Sequence, residues 1–396
     1  MEAKNGAYIV SSVRTAVGKA KRGTLKNVRP EAMGAVAVRE AIRRVEGLEP
    51  GQVDDVLVGC AMPEGSQGMN VGRIIALKAG LPDSVTGATV NRFCSSGLQT
   101  IVMASQAVAT GQADCVVAGG AESMSLVPMA GFYFQPDPEL AVEFPEVYIS
   151  MGNTAENLAE KYDISREEQD RFSLQSHQRA LDAIAKGRFD EEIVAMEVEE
   201  TYFNENTTHT VQKTFDIDEG PRADTSVEAL AKLRPVFRNR GTVTAGNSSQ
   251  MSDGAAASVV MSAPMMSDLG VDPMGRIVGF ALAGVPPEVM GIGPVGAIAK
   301  VLKRTGLELK DIGLVELNEA FAAQALSVIK EVGLDEAIVN VNGGAVALGH
   351  PLGCTGAKLT ATLLHEMKRR GVRYGLCTMC IGGGMGAAAV IENLMV

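Results

Sequence analysis

Apolar residues along this chain follow two alternating rhythms. Short aliphatic or β-branched runs at 8–13, 53–60, 87–90 and 113–120 predict strands. Between them lie stretches whose apolar residues return at helical spacing. After 8–13 comes a basic, glycine-containing loop over 14–26. Pro30 then opens a helix with Met33, Val36, Ala37 and Ile42 on one face and Gly47 at its end. Residues 70–78 predict a second helix. The run at 87–90 reads as a buried strand. Leu98, Ile101, Val102, Ala104 and Val108 follow as a helix, with Ser95 or Ser96 as its cap and Gly111 as its stop. The alternation predicts an α/β protein with a parallel-rich sheet covered by helices.

From residue 121 to about 254 the rhythm breaks. Prolines and aromatics cluster at 132–144, and a helix opens at Met151. Ser165-Arg166-Glu167-Glu168 is a capping box for a longer charged helix that runs towards Gly187. Polar strands and loops fill 197–218, and 226–230 predicts a short helix. After Asp253 the alternation resumes, with strands at 255–261, 275–281, 313–317, 337–341, 374–381 and 387–392. Helices are predicted at 294–304, up to Val332, and from about 355 to 370.

Two segments share one order of elements. The first begins at Val90-Asn91 and runs through Cys94-Ser95-Ser96-Gly97, an apolar helix and Gly111 to a strand ending Ala118-Gly119-Gly120. The second begins at Val341-Asn342 and runs through a longer glycine loop, Cys354-Thr355-Gly356-Ala357, an apolar helix and Gly371 to a strand ending Ile381-Gly382-Gly383-Gly384. This internal repeat predicts two similar halves with a cleft between them. In the second half the glycines turn straight into a returning strand. In the first half the partner strand arrives only after 253, so 121–253 reads as an insertion. The expected organisation is an N-terminal core half (1–120 plus 254–272), an inserted domain (121–253) and a C-terminal core half (273–396).

At 396 residues and 46% hydrophobic composition, the chain can bury more than one core. A net charge of −11, no Trp and 4% aromatics argue against a general nucleic-acid binder, while leaving room for one local basic pocket. Residues 1–11 lack the pattern of a secretion signal, and no apolar run approaches the length of a membrane span. Six cysteines are too few for a disulfide scaffold, so reduced thiols and a cytoplasmic location are expected. The sequon at 206–208 then reads as an ordinary loop.

Cys94 falls where a strand meets a helix N-terminus, whose free N–H groups and dipole favour a thiolate. It is either a nucleophile or one more small buried hydrophobe. His350 lies between glycines and before Pro351, where the backbone can approach a ligand closely; general base and buried structural histidine are both open. His177 and His365 fall on helix faces and read as solvated. Cys377-Thr378-Met379-Cys380 has C-x-x-C spacing, but in a strand those thiols project to opposite faces, and no further Cys or His pair completes a metal site. No metal is expected. The glycines after Cys380 join strand to strand, leaving no helix N-terminus for a pyrophosphate. Cys380 is instead a candidate proton donor beside free backbone N–H groups. Asn318 ends a strand as Asn318-Glu319-Ala320-Phe321, either as a helix cap or as an active-site amide.

Taken together, Val90-Asn91-Arg92-Phe93-Cys94-Ser95-Ser96-Gly97, Asn318-Glu319-Ala320-Phe321, Gly349-His350-Pro351-Leu352-Gly353-Cys354-Thr355-Gly356 and Cys380-Ile381-Gly382-Gly383-Gly384-Met385-Gly386 resemble the thiolase family over essentially the whole chain. The resemblance implies two βαβαβαββ halves in a five-layered αβαβα arrangement, with an inserted loop domain over the active site. It implies Cys94 as nucleophile, His350 as base and Cys380 as acid and base. Asn318 and the N–H groups of Cys94 and Gly382 would form the oxyanion sites. Arg222 and Ser249 would hold coenzyme A, and Phe237, Met290 and Phe321 would line its pantetheine channel.

Coenzyme A is then a substrate and no other cofactor is needed. The implied reaction is cleavage of 3-ketoacyl-CoA by CoA, in a homodimer or homotetramer. Acetoacetyl-type relatives tend to carry His where this chain has Ser150, and Ala-Ser-Gly where it has Ser248-Ser249-Gln250; both departures favour the degradative branch. Condensation of two acetyl-CoA is the nearest rival. A non-catalytic CoA- or lipid-binding protein on the same fold is the rival of another class.

Overall fold

The computed structural model describes residues 6–204 and 206–395. Nine strands follow one hydrogen-bonded path: Leu314–Leu317, Tyr374–Ile381, Met385–Asn393, Gly275–Gly284, Ala7–Thr15, Ser252–Ser262, Cys115–Ser123, Asp55–Gly59 and Thr86–Val90. The path divides where Ala7–Thr15 meets Gly275–Gly284, which pair at Ile9 opposite Gly275. On either side the order is the same. Ala7–Thr15 corresponds to Gly275–Gly284, Ser252–Ser262 to Met385–Asn393, Cys115–Ser123 to Tyr374–Ile381, and Asp55–Gly59 to Leu314–Leu317. The sequence repeat is thus a repeat of sheet topology.

Apolar alternation explains the stacking. Val56, Val58 and Val117 point to one side, against Met33, Val38, Ile42 and Ile75 of the outer helices Pro30–Arg43 and Val71–Lys78. Leu57, Val116 and Ala118 point to the other side, onto the central helices Ser96–Ala109 and Leu352–Arg370. Cys377, Met379 and Ile381 close that central layer from the second sheet. Leu376, Ala388 and Val390 face outward onto Gly293–Thr305 and Ala322–Val332. A helix that is apolar on both faces belongs between two sheets. The two central helices touch through small residues: a Cβ on Gly97 would stand 2.7 Å from the Ala357 nitrogen, and one on Gly356 would stand 2.3 Å from that of Leu98.

Between Cys115–Ser123 and Ser252–Ser262 the chain leaves the sheet. It forms helices Pro138–Glu143, Met151–Lys161, Arg166–Ala185 and Val227–Ala231, and an antiparallel hairpin, Met196–Asn204 with Thr207–Phe215. The expected capping box is present, with Ser165 and Glu168 bonding each other's backbone N–H.

Four local expectations are corrected. Thr86–Val90 is a half-exposed edge strand, paired only with Asp55–Gly59 among the described residues. Residues 337–341 supply a single bridge, Val339 to Val315, and no regular strand. The reason is Asn340, which turns left-handed at φ 44°. Its side-chain amide accepts from the Leu317 N–H and donates to the Leu317 carbonyl, both at 2.8 Å, so it replaces the next rung of the ladder. Neither Ser95 nor Ser96 caps its helix. A 3₁₀ turn, Phe93–Ser95, intervenes, and the Ser96 hydroxyl accepts from the Arg92 N–H and donates to the Phe93 carbonyl. Arg14, expected in a basic loop, ends the strand Ala7–Thr15 and is completely buried.

Candidate active site

Cys94 enters from the first half of the molecule, while His350, Cys380 and Asn318 enter from the second. Phe93 holds a left-handed φ of 43° immediately before Cys94, a conformation that costs a non-glycine residue of order 1–3 kcal/mol. That bend swings the chain from the edge strand into the 3₁₀ turn and turns the Cys94 side chain inward, where it packs with Ala61, Met124 and Leu352.

Burial pushes the Cys94 thiol up to about 11. The backbone N–H groups of Gly382 and of Cys94 itself point at the sulfur and oppose that rise, while the Glu122 charge adds to it. The expectation of a resting thiolate is therefore corrected: desolvation outweighs the helix end. Cys380, buried at the end of Tyr374–Ile381, is pushed well above the ordinary thiol range by desolvation and by Cys94 next to it. Cys377 faces the central layer, so the two thiols of the C-x-x-C diverge. All six cysteines are free and buried. Among the described residues no group of three or more His, Cys, Asp or Glu is arranged to hold a metal ion.

His350 is 5% exposed, and burial, reinforced by the Lys358 charge, drives it down to about 3. It is a neutral imidazole at physiological pH. The backbone N–H of His350 is shared by the Gln250 carbonyl at 3.0 Å and the Ser252 hydroxyl at 3.2 Å. At rest Cys94 is then a thiol and His350 a neutral imidazole. Alkylation of Cys94 by iodoacetamide is expected to climb about tenfold per pH unit from pH 7 to beyond pH 9, following the thiolate fraction. A rate that levels off near pH 7 would mean a preformed thiolate.

Asn318 follows the strand Leu314–Leu317, and its N–H bonds the Thr378 carbonyl at 3.0 Å. Its Nδ2 lies 3.3 Å from His350 Nε2, and its Oδ1 is buried with no hydrogen-bond partner among the described residues. Gly382 is half-buried; a Cβ there would stand 3.6 Å from Met151 Sδ and 3.7 Å from Phe93 Cδ2.

Met290 and Phe321 pack with Cys380, Ala155, Val243 and Ala320. Phe237 meets Phe321 edge to face, with centroids 6.0 Å apart. Its ring lies over Gly152, where any side chain would collide with it. The Ser249 N–H bonds the Ala320 carbonyl at 2.9 Å. Arg222 stands apart from these residues. Its side chain is exposed beside Asp224, and its backbone N–H donates to His177 Nδ1 at 3.2 Å.

That bond corrects the reading of His177 as solvated: it is buried and lowered to about 4 by desolvation. His365 is also largely buried, bonding the Ser12 carbonyl at 3.1 Å.

Sequence reasoning passed over the residues that hold the loops. The Glu122 carboxylate accepts from the N–H groups of Ala61 at 2.7 Å, Met62 at 3.3 Å and Gly353 at 2.8 Å, and from Gln67 Nε2 at 2.7 Å. It ties the first half to the His350 loop. Gln250 Nε2 reaches the carbonyls of Gly220, Val346 and Ala347 at 3.0–3.1 Å, so it is a tether between insertion and core.

Two stacked α/β halves that bring paired thiols and an imidazole to their junction place the protein among thiol-dependent acyl-transfer enzymes. The comparisons with known proteins narrow that class. Family models for the thiolase N-terminal domain and the thiolase C-terminal domain match residues 7–264 and 271–393. The Bacillus subtilis 3-ketoacyl-CoA thiolase is 56% identical over 387 residues, covering 98% of this chain and 99% of that protein. The Bacillus anthracis acetyl-CoA acetyltransferase has the same fold at a TM-score of 0.88 and 45% identity, and human mitochondrial 3-ketoacyl-CoA thiolase at 0.87 and 40%. Each structure covers 98% of this chain and is covered to 99%. The chain belongs to the thiolase family.

Proposed function

We propose that this enzyme cleaves 3-ketoacyl-CoA with free CoA, giving a shortened acyl-CoA and acetyl-CoA through an acyl thioester on Cys94. The observation that carries the reading is the meeting of Cys94, Cys380 and the Gly382 N–H at one point. Cys94 sulfur attacks the 3-keto carbon while its proton passes to His350 Nε2. The new oxyanion lies on the N–H groups of Cys94 and Gly382, which already point at the sulfur. The C2–C3 bond then breaks, and its electron pair spreads onto the thioester oxygen near His350 and Asn318. Cys380, a thiol reluctant to ionise, gives its proton to C2 once that stronger base forms beside it, and acetyl-CoA leaves. The Cys380 thiolate takes a proton from incoming CoA, whose sulfur attacks the acyl group. Cys94 leaves and recovers its proton from His350.

Met290, Phe321 and Phe237 supply an apolar wall for pantetheine, with Ser249 behind it, and Arg222, exposed on the insertion, supplies a cation for coenzyme A. The degradative direction is favoured by Ser150 and Ser248-Ser249-Gln250, and by 56% identity to the Bacillus subtilis 3-ketoacyl-CoA thiolase against 45% to the Pseudomonas aeruginosa acetyl-CoA acetyltransferase. The partner is a second copy of the chain: Met69, Ile74, Leu77 and Met103 are exposed near the free edge strand. No helix among the described residues is long and apolar enough to cross a membrane, and six free thiols suit a reducing cytoplasm.

Turnover of acetoacetyl-CoA and of a medium-chain 3-ketoacyl-CoA, compared at equal CoA, tests the substrate. A higher kcat/KM for the longer chain is expected. Strong preference for acetoacetyl-CoA would transfer the enzyme to the rival branch.

A further inference from the structure

The Thr355 hydroxyl sits one turn into the helix Leu352–Arg370, fully buried, and has a single proton to give. Two acceptors compete for it. Thr355 Oγ1 lies 3.0 Å from the Pro351 carbonyl, four residues back along the same helix, and 2.6 Å from His350 Nδ1. The carbonyl can only accept. A threonine inside a helix commonly gives its proton to the carbonyl four residues back. With the proton there, the oxygen presents a lone pair to His350, and Nδ1 must be the protonated nitrogen.

The other side of the ring agrees. An amide N–H of Asn318 stands 3.3 Å from Nε2, and a donor suits an unprotonated nitrogen. Burial with the Lys358 charge nearby keeps the ring neutral, so one nitrogen only carries a proton.

We propose that Thr355 is a positioning residue that locks His350 as the Nδ1–H tautomer and so leaves the Nε2 lone pair free to take the Cys94 proton. This rests on His350 acting as the base. The partner that a histidine base needs to fix its orientation is usually a carboxylate or a carbonyl. Here it is a hydroxyl whose own proton is committed by helix geometry. Once His350 becomes the cation, both ring nitrogens carry protons, and Nδ1–H still donates to the same oxygen. On the Nδ1 side the lock therefore serves both protonation states with no rearrangement, while on the other side the Asn318 amide, a donor, gives way when Nε2 takes its proton.

The arrangement also explains the sequence spacing. The chain after His350 must bend through Pro351 and enter the helix at once, so that residue 355 comes back beneath the ring. The Pro351 carbonyl accepts from the N–H groups of Cys354 at 3.0 Å and Thr355 at 2.9 Å as well as from the Thr355 hydroxyl.

Thr355→Val and Thr355→Ser separate the hydroxyl from packing. Valine keeps the shape and loses the lone pair; serine keeps the hydroxyl and loses a methyl. Thr355→Val is expected to lower kcat on the order of 10²-fold with KM unchanged, and to slow acyl-Cys94 formation in single turnover equally. Thr355→Ser is expected to stay within a few-fold of the wild type. With only four histidines in the chain, ¹⁵N-histidine labelling resolves the ring directly. The spectrum of wild type and Thr355→Ser should show His350 protonated at Nδ1, and that of Thr355→Val should lose that preference. Equal losses in both variants, or an Nε2–H ring in the wild type, would overturn the lock. His350→Ala run beside them keeps the two readings apart. If it is inactive while Thr355→Val is normal, the lock alone fails. If His350→Ala is itself active, the base assignment fails.

Discussion

Cys94→Ala is expected to lower thiolysis by about 10⁴-fold or more, because it removes the covalent route and leaves only binding and oxyanion contacts. Cys380→Ser should act differently. A serine hydroxyl is a poor acid for C2 and a poor base for CoA, so turnover should fall 10²–10⁴-fold, the typical contribution of a positioned proton donor. Deacylation loses its base as well, so acyl enzyme should accumulate. Intact-mass measurement of Cys380→Ser after a pulse of ketoacyl-CoA without free CoA should show one acyl adduct, mapping to Cys94. The double variant should show none. An adduct on Cys380, or wild-type turnover by Cys94→Ala, would falsify the assignment of the nucleophile. The two thiols differ by position alone. Cys94 has two N–H groups aimed at its sulfur, the oxyanion donors of the proposed mechanism; Cys380 sits among Met290, Phe321 and Val243, where a neutral thiol is the stable state.

The halves of this fold were legible because most elements carry their own period and because the strands Cys115–Ser123 and Tyr374–Ile381 carry or run into matching glycines. The repeat pointed to 121–253 as an insertion independently of composition. The residues that meet at the junction could also be found, since Cys94, Asn318, His350 and Cys380 all sit where a strand or a glycine loop ends. What could not be read was anything decided by distant neighbours. Asn340 closes a rung of sheet with its side chain, because αL backbone at one residue turned the peptide away from Leu317. His177 looked solvated on a helix whose outer face is covered by the loop bearing Arg222. The Cys94 thiol looked ionised from its helix end, because burial is a property of the whole assembly of loops. Thr355 did lie within a motif already singled out, and a hydroxyl five residues after a candidate base is a signal that can be sought in sequence.

Arg14→Met is expected to destabilise the protein by about 3–5 kcal/mol, the usual result of removing one partner from a buried ion pair. Arg14 is wholly buried. Its Nε donates to Glu192 at 2.6 Å, and its two terminal nitrogens donate to the two oxygens of Asp218 at 2.8 and 2.9 Å. The guanidinium also stacks 5.0 Å from the Phe189 centroid. Both carboxylates belong to the insertion, 178 and 204 residues away, so this one side chain anchors the insertion to the first strand of the core. Methionine fills the space but leaves two buried carboxylates without their cation, and it is that residual charge, more than the lost contacts, that sets the cost. The urea midpoint should therefore fall sharply, and limited proteolysis should cut first between residues 187 and 222. Arg14→Lys keeps the charge but cannot fork onto Asp218, so it should lie between the wild type and Arg14→Met. Adding Asp218→Asn to Arg14→Met should recover part of the loss, since it removes one orphaned charge. A cost below about 1 kcal/mol for Arg14→Met, or no recovery in the double variant, would mean that water reaches the cluster and that the insertion is held by its apolar contacts instead.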